Sequence, residues 1–207
     1  MEFPYLARVR FLLGDPWRPE VVTEAWSAVE SELGFALPED YKKILGLYGP
    51  VELNHRMDLL SPIPGRWNVA DWIGSTSRAW AEESWEGEVL ETDPRASLGI
   101  SEMRFGQRGG LIPSVPTTVA SEIVFMANSP VIDGWWIYVY RDYEFYEYRM
   151  NFSEWLYQYL ICGDVVLYEP PLNARAVELR SLPMSESDSV RTWYGPDPGR
   201  ECGSMGK

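Results

Sequence analysis

The sequence has few of the residues that most often build catalytic and metal sites. It contains two cysteines, Cys162 and Cys202, and one histidine, His55, in 207 residues. Two distant cysteines make no disulfide framework and no closed zinc site, and they suit a reducing compartment. Cys162 on an apolar helix stripe favours a structural thiol over a nucleophile, and His55 in an Asn-His-Arg turn favours a solvated loop residue. The sequence therefore predicts a non-enzyme with no catalytic residue, no metal and no cofactor.

Basic residues are also scarce. The chain has 18 Lys and Arg against 31 Asp and Glu, a formal net charge of −13, and a pI near 4.5. Neutralising nucleic-acid phosphates requires clustered Lys and Arg, so this composition argues against nucleic-acid binding. An acidic protein attracts basic partners instead, although acidity alone also serves to keep a protein soluble.

Long apolar runs and motifs for phosphate chemistry are missing as well. No stretch approaches the ~18 uninterrupted apolar residues that a membrane helix needs. The opening residues, MEFPYLARVRFLLGDP, lack the basic start and the cleavage site of a secretory signal. There is no P-loop, dinucleotide-binding or nucleophile-elbow pattern and no calcium loop. We expect a soluble, cytoplasmic protein without membrane association, and the length suits one domain.

The clearest pattern is a pair of short helices at residues 19–50. The first is predicted from Pro19 to Gly34, with one apolar face formed by Val22, Trp26, Val29 and Leu33. The second follows Leu37-Pro38, and its buried face is predicted to hold Tyr41, Ile44, Leu45 and Tyr48, with Lys42 and Lys43 on the wet side. Gly49 is expected in the left-handed position that ends a helix, and Pro50 prevents continuation.

For the rest of the chain the sequence predicts several strands, two further helices and flanking segments. Strands are predicted near 51–60, at 111–117, 122–127, 134–141 and 144–148, with the two prolines of 111–117 confining that strand to an edge. Helices are predicted from Ser77 through Glu88 and after Asn151, which caps its helix together with Glu154. The fold class is α+β, a single domain with helices packed on one face of a mostly antiparallel sheet. We divide the chain into an N-terminal arm (1–18), that domain (19–168), an extension (169–182) and a disordered tail (183–207).

Several residues of these elements occur in an order and spacing typical of a known family. They are Glu30, Glu32, Leu33-Gly34, Leu37-Pro38, Tyr41-Lys42, Tyr48-Gly49, Leu111-Ile112-Pro113 and the run Phe152-Ser153-Glu154-Trp155-Leu156. In these residues the chain resembles the SUKH superfamily, which contains bacterial immunity proteins against polymorphic toxins and fungal regulators of cell-wall synthesis. The resemblance covers roughly residues 19–165; the loop before Leu111 and everything past Tyr168 depart from the pattern. The resemblance implies an α+β domain that binds another protein, and it supplies no transferable site residues because partner surfaces in the family vary.

Charge and aromatic content indicate where a partner would bind. The period of two in the strand 134–141 puts Trp135, Ile137 and Val139 on one face and Trp136, Tyr138 and Tyr140 on the other. The second face is either an exposed binding surface or is covered by the segment 67–85 or the N-terminal arm. An acidic run precedes it, which by itself is typical of a solvated helix face. The candidate partner-binding residues are Glu82, Glu83, Trp85, Glu86, Asp133, Trp136 and Tyr138.

The function expected from these features is protein binding. The specific hypothesis, which rests on the resemblance, is an immunity protein that neutralises a cognate toxin, with a basic, nuclease-like toxin domain as the partner. The alternative is a regulatory scaffold that binds a housekeeping partner. The sequence leaves the oligomeric state open.

Overall fold

The computed structural model describes residues 3–19, 23–85, 90–119, 122–165, 167 and 176–197. Within these ranges the helices are α1 (Pro4–Leu13), α2 (Thr23–Leu33), α3 (Glu39–Tyr48), α4 (Val69–Ala81), α5 (Pro94–Leu98) and α6 (Phe152–Leu160). The strands are β1 (Val51–Leu53), β2 (Met57–Leu59), β3 (Leu111–Pro116), β4 (Glu122–Ala127), β5 (Trp136–Arg141), β6 (Glu144–Tyr148), β7 (Glu178–Ser181) and β8 (Thr192–Tyr194). This arrangement confirms the predicted α+β class.

Both helices of the predicted pair form, but two details differ. Pro19, the predicted start, lies outside α2, and the Lys42 side chain, predicted on the wet side, is only 13% exposed. α2 ends at Leu33 and Gly34 follows with a φ of 78°. All four predicted apolar residues of α3 are buried. The Glu30 carboxylate joins the two helices, because it accepts a hydrogen bond from the Leu37 N–H at 2.8 Å and contacts the Lys42 ammonium at 2.8 Å.

The prediction for Gly49 is wrong. Its φ of −66° and ψ of 150° are extended backbone that any residue adopts. A Cβ atom at this position would overlap the carbonyl oxygen of Leu60 and lie 2.8 Å from that of Leu45. Gly49 is therefore required for space rather than for a left-handed conformation.

All strand pairs within the two four-stranded sheets are antiparallel, as predicted. The first sheet has the order β2-β1-β7-β8 and the second has the order β3-β4-β5-β6. A bridge between Met57 and Thr117 connects the two sheets beside β3. β3 is an edge strand of its sheet, which agrees with the expectation from its prolines.

Both ends of the chain contain regular secondary structure. Residues 4–13, within the predicted N-terminal arm, form a helix, because Val9, Leu12 and Leu13 recur with helical spacing and are buried. α1 packs on α6. The expected disorder from Pro183 is wrong for 192–194, since β8 pairs with β7 and the Gly195 N–H donates to the Val177 carbonyl at 2.8 Å.

α4 begins earlier than predicted. The Asn68 side chain caps it by accepting from the N–H groups of Ala70 at 2.8 Å and Asp71 at 3.0 Å. Ser77, the expected cap, lies buried within the helix, and the helix ends at Ala81. The prediction missed the Asn68 cap because the tryptophan-rich composition obscured the period of this segment. Glu88, the expected end, lies outside the described residues.

The second sheet is covered on both faces. Ile137 and Val139 belong to the main core, which the strands share with α1, α2, α3, α4 and α6. The opposite face contributes Phe125, Tyr138 and Phe145 to a second cluster, which the Trp80 end of α4 and the segment around α5 cover. Of the alternatives left open for this face, coverage is the one observed. Trp72, Trp80 and Trp85 of the segment 67–85 pack on this cluster, together with residues in and around α5.

In the described part of the chain, no helix has both the length and the apolar character needed to cross a membrane. Cys162 is disulfide-bonded, so the prediction of a thiol at this position is wrong. Cys202 lies outside the described residues.

Candidate protein-binding surface

A pocket of about 440 Å³ opens beside the C-terminal end of α4. Four aromatic rings from two parts of the chain border it, together with one acidic side chain. Its described lining residues are Ala79, Trp80, Glu83, Ser84, Trp85, Leu90, Tyr140 and Tyr143, and we call it the aromatic pocket.

The two tryptophans of the aromatic pocket are fixed by the way α4 ends. Trp80 lies in the last turn of the helix, and the Trp85 indole folds back to donate from Nε1 to the Trp80 carbonyl at 3.1 Å. The two rings stack with centroids 5.7 Å apart and planes 15° from parallel. Arg95 donates from Nη1 to the Trp85 carbonyl at 3.2 Å. The Trp85 backbone, which lies beyond the end of α4, is thereby tied to α5.

Arg95 is itself held in place. Its guanidinium contacts the Asp93 carboxylate at 2.8 Å, and Asp93 also accepts from the Arg95 N–H at 2.9 Å as the cap of α5. These hydrogen bonds from Arg95 lower the pKa of Asp93. The Asp93–Arg95 pair thus connects the start of α5 to the wall of the aromatic pocket.

The opposite wall comes from β5 and the turn that follows it. The Tyr140 ring stands nearly perpendicular to the Trp80 ring, with centroids 4.7 Å apart. Tyr143 occupies the β5–β6 turn with a φ of 68°, and its side chain is 84% exposed. The Glu144 carboxylate accepts a hydrogen bond from the Glu91 N–H at 3.1 Å. This hydrogen bond ties the β5–β6 turn to the residue that follows Leu90 of the pocket lining.

The acidic residues predicted for partner binding lie at this pocket in part. Glu82 and Glu83 are both exposed directly after α4. Among the described lining residues Glu83 is the one with a formal charge. Glu83 takes part in no salt bridge within the ranges that the structure describes. Glu86 lies outside the described residues.

The other predicted residues lie elsewhere. Trp136 is half-buried at the start of β5 with the Arg149 guanidinium 4.9 Å from its ring, and Asp133 is exposed in the loop before that strand. Trp136 and Tyr140 are four residues apart on β5, which is about 13 Å along a strand. The structure therefore gathers Glu82, Glu83 and Trp85 at one end of β5 and places Asp133 and Trp136 at the other.

Tyr138 is a correction to the predicted surface. Its side chain is fully buried, and its hydroxyl lies 2.9 Å from the Ser97 hydroxyl of α5. Burial raises the pKa of Tyr138 to about 12. The expectation of an exposed anchor fails because the α4–α5 segment covers the middle of this face, where Tyr138 lies.

Sequence reasoning predicted Glu83 and Trp85 and missed the other six described lining residues as parts of the site, which are Ala79, Trp80, Ser84, Leu90, Tyr140 and Tyr143. One signal was available for Tyr143. It stands between two predicted strands in a short Asp-Tyr-Glu turn, where an aromatic side chain has little chance of burial. Trp80 and Tyr140 are in contact although they are 60 positions apart in the sequence, and no local sequence pattern predicts this contact.

A cluster of charged and titratable side chains lies on the first sheet. His55 bridges two carboxylates, with Nδ1 3.0 Å from Glu52 and Nε2 2.9 Å from Glu178. Glu52 stands opposite Asp58 in the β1–β2 pairing. No group of three potential ligands in the described residues could hold a metal ion. The cluster joins β1 to β7 across the sheet.

Asp58 should make stability depend on pH. One of its carboxylate oxygens is buried without a hydrogen-bond partner in the described residues. Burial, followed by the Glu52 charge, raises the pKa of Asp58 from 3.8 to about 6. The folded protein binds this proton more tightly than the unfolded chain does, so its stabilising contribution is full below pH 4 and is lost as the pH rises through 6.

We therefore expect Asp58→Asn to flatten the fall in stability between pH 4.5 and 7.5. The difference in free energy of unfolding between the parent protein and Asp58→Asn should change by about 1 to 2 kcal/mol between these two pH values, after allowance for solvent screening at this partly exposed site. Urea unfolding of both proteins at the two pH values measures it. Parallel pH profiles would show that Asp58 titrates normally.

Comparison with known protein families, curated proteins and solved structures finds no match to this chain.

Proposed function

We propose that this protein is a non-enzymatic protein-binding module, and specifically an immunity protein that binds and neutralises a cognate bacterial toxin. The observation that carries the proposal is the aromatic pocket, which has Glu83 in its lining and the exposed Glu82 next to it in the sequence. The resemblance to the SUKH superfamily supports the same assignment, because that superfamily contains immunity proteins.

The physical basis is a combination of steering and anchoring. A net charge of −13 attracts a basic protein over a distance set by the salt concentration. Tryptophan and tyrosine are enriched among the residues that carry most of the binding energy at protein interfaces. A nuclease-like toxin has a basic cleft for phosphates, and carboxylates such as those of Glu82 and Glu83 would occupy it and block substrate access.

The proposal is tested by isolating the partner. The tagged full-length protein is recovered from its native cell extract at low and moderate salt, and bound proteins are identified by mass spectrometry. We expect a stoichiometric, basic protein that is toxic when expressed alone and harmless when co-expressed with this chain. Recovery only of housekeeping proteins would favour the alternative, a regulatory scaffold.

Charge reversal at the pocket edge should weaken the complex. Glu82→Lys with Glu83→Lys places two positive charges where a basic partner must approach. We expect association with the toxin to slow by at least about tenfold at low salt, and the effect to shrink as salt is added. Stopped-flow fluorescence of the tryptophans provides the measurement.

A matched double variant distinguishes the effect of where the charges lie from the effect of the net charge. Glu24→Lys with Glu32→Lys changes the net charge equally on the exposed side of α2, and neither residue lines the aromatic pocket. The two positions lie near opposite ends of the helix, so their effects on helix stability tend to cancel. Equal slowing by both double variants would mean that overall charge steers the partner and that the pocket edge has no special role.

A further inference from the structure

The chemistry of the aromatic pocket indicates what enters it. Its described walls include the rings of Trp80, Trp85, Tyr140 and Tyr143, and among the described lining residues Glu83 is the one with a formal charge. Aromatic faces carry negative potential and attract cations positioned over them. The aromatic rings and the Glu83 carboxylate therefore both favour a positively charged occupant.

We infer that the aromatic pocket binds a single basic side chain, a lysine or arginine that projects from the partner protein. This inference rests on the proposed function, since it names the group of the partner that the site recognises. The aliphatic stem of such a side chain packs along the rings, while its charged head reaches the Glu83 carboxylate.

Other occupants fit less well. An apolar side chain would cover the rings but would also strip water from Glu83 without giving its carboxylate a partner, which is costly. An acidic side chain would be repelled by Glu83 and by the ring faces. A lysine or arginine satisfies both parts of the site, and a volume of about 440 Å³ exceeds what either side chain occupies.

The rigidity of the pocket adds to the argument. Trp85 is held by its hydrogen bond to Trp80 and by Arg95, so the stacked rings are positioned before a partner arrives. A site arranged in advance loses less conformational freedom on binding than one that must order its side chains. Tyr143, which is 84% exposed on the turn, adds a wall that an inserted side chain can contact.

The test uses small probes and needs no toxin. n-Butylammonium reproduces the end of a lysine side chain, 1-butanol is its neutral counterpart of equal length, and butanoate carries the opposite charge. Each is titrated into the full-length protein while the indole N–H resonance of Trp85 is followed by NMR. We expect n-butylammonium to bind at least about fivefold more tightly than 1-butanol, and butanoate not to bind.

Three variants assign the effect to the pocket. Glu83→Gln should weaken n-butylammonium binding about two- to fivefold, whereas Glu24→Gln, exposed on α2 and outside the lining, should leave it unchanged. Tyr143→Ala should weaken binding through loss of a wall. An unchanged indole resonance of buried Trp155 shows that each variant is folded.

The possible results separate this inference from the proposed function. Equal binding of n-butylammonium and 1-butanol, absence of any Trp85 shift, or equal effects of the Glu24 and Glu83 variants would overturn the basic-side-chain assignment. None of these bears on whether a toxin is bound, which the co-purification decides. Selective cation binding that depends on Glu83 supports the inference even where no toxin is recovered.

Discussion

Replacement of Trp155 by alanine is expected to lower the free energy of unfolding by about 3 to 5 kcal/mol. Trp155 is fully buried in α6 and is the largest of the fully buried side chains among the described residues. Its ring packs between Phe152, with centroids 6.0 Å apart, and Tyr159, with centroids 6.1 Å apart. α6 contacts α1, α3 and β5, so a cavity here weakens the contacts of three elements at once. Urea unfolding monitored by circular dichroism measures the loss.

A second substitution at the same position makes the prediction more specific. The Trp155 Nε1–H is buried and has no hydrogen-bond partner in the described residues. Trp155→Phe removes this unsatisfied donor, which offsets part of the lost packing, so we expect it to lie within about 1 kcal/mol of the parent protein. Tyr143→Ala on the exposed turn serves as the surface control and should change stability by less than about 0.5 kcal/mol. Equal losses for Trp155→Phe and Trp155→Ala would contradict this account of the indole.

The second large effect is expected for Gly49→Ala, with a loss of about 3 kcal/mol or more. The added methyl group would overlap the Leu60 carbonyl oxygen, which belongs to the backbone and cannot rotate away as a side chain would. The conformation of Gly49 itself suits alanine, with a φ of −66°. The loss therefore comes entirely from forcing α3 and the segment after β2 apart. Chemical denaturation gives its size.

Gly34 is the matched control because it has the opposite requirement. No atom lies within 4 Å of a Cβ built there, but its φ of 78° is a conformation that side chains rarely adopt. We expect Gly34→Ala to cost about 1 kcal/mol and Gly34→Asn to cost less, since asparagine tolerates this region. A larger loss at Gly34 than at Gly49 would mean that backbone conformation, not space, decides both positions.

Local patterns were sufficient for several elements. α3 and α6 each have an apolar face of helical period, and the Asn151 side chain caps α6 by accepting from the Glu154 N–H at 2.9 Å, as predicted. β4 is buried at all six positions, which agrees with its continuous apolar run. In these cases the residues that define an element are neighbours in sequence, so the sequence shows them together.

The candidate site could be predicted only in part. Glu82, Glu83 and Trp85 are consecutive or nearly so, and the chain leaves them together at the end of α4. Tyr138 was misplaced because alternation along a strand gives the face on which a side chain lies, but not what covers that face. Trp136 and Tyr138 occupy the same face of β5, yet one is half-buried and the other is fully buried.

The sequence by itself determined the α+β class, the helical pair, the strands of the second sheet and the excess of acidic and aromatic residues. Only the tertiary structure decided that residues 192–194 join the first sheet, that Gly49 is required for close approach, and that Trp80 meets Tyr140 in a pocket. The physical reason is the range of the interactions. Helix periods and caps act between residues a few positions apart, whereas sheet edges, close backbone contacts and pocket walls bring together residues that are distant in the chain and depend on how all the elements pack.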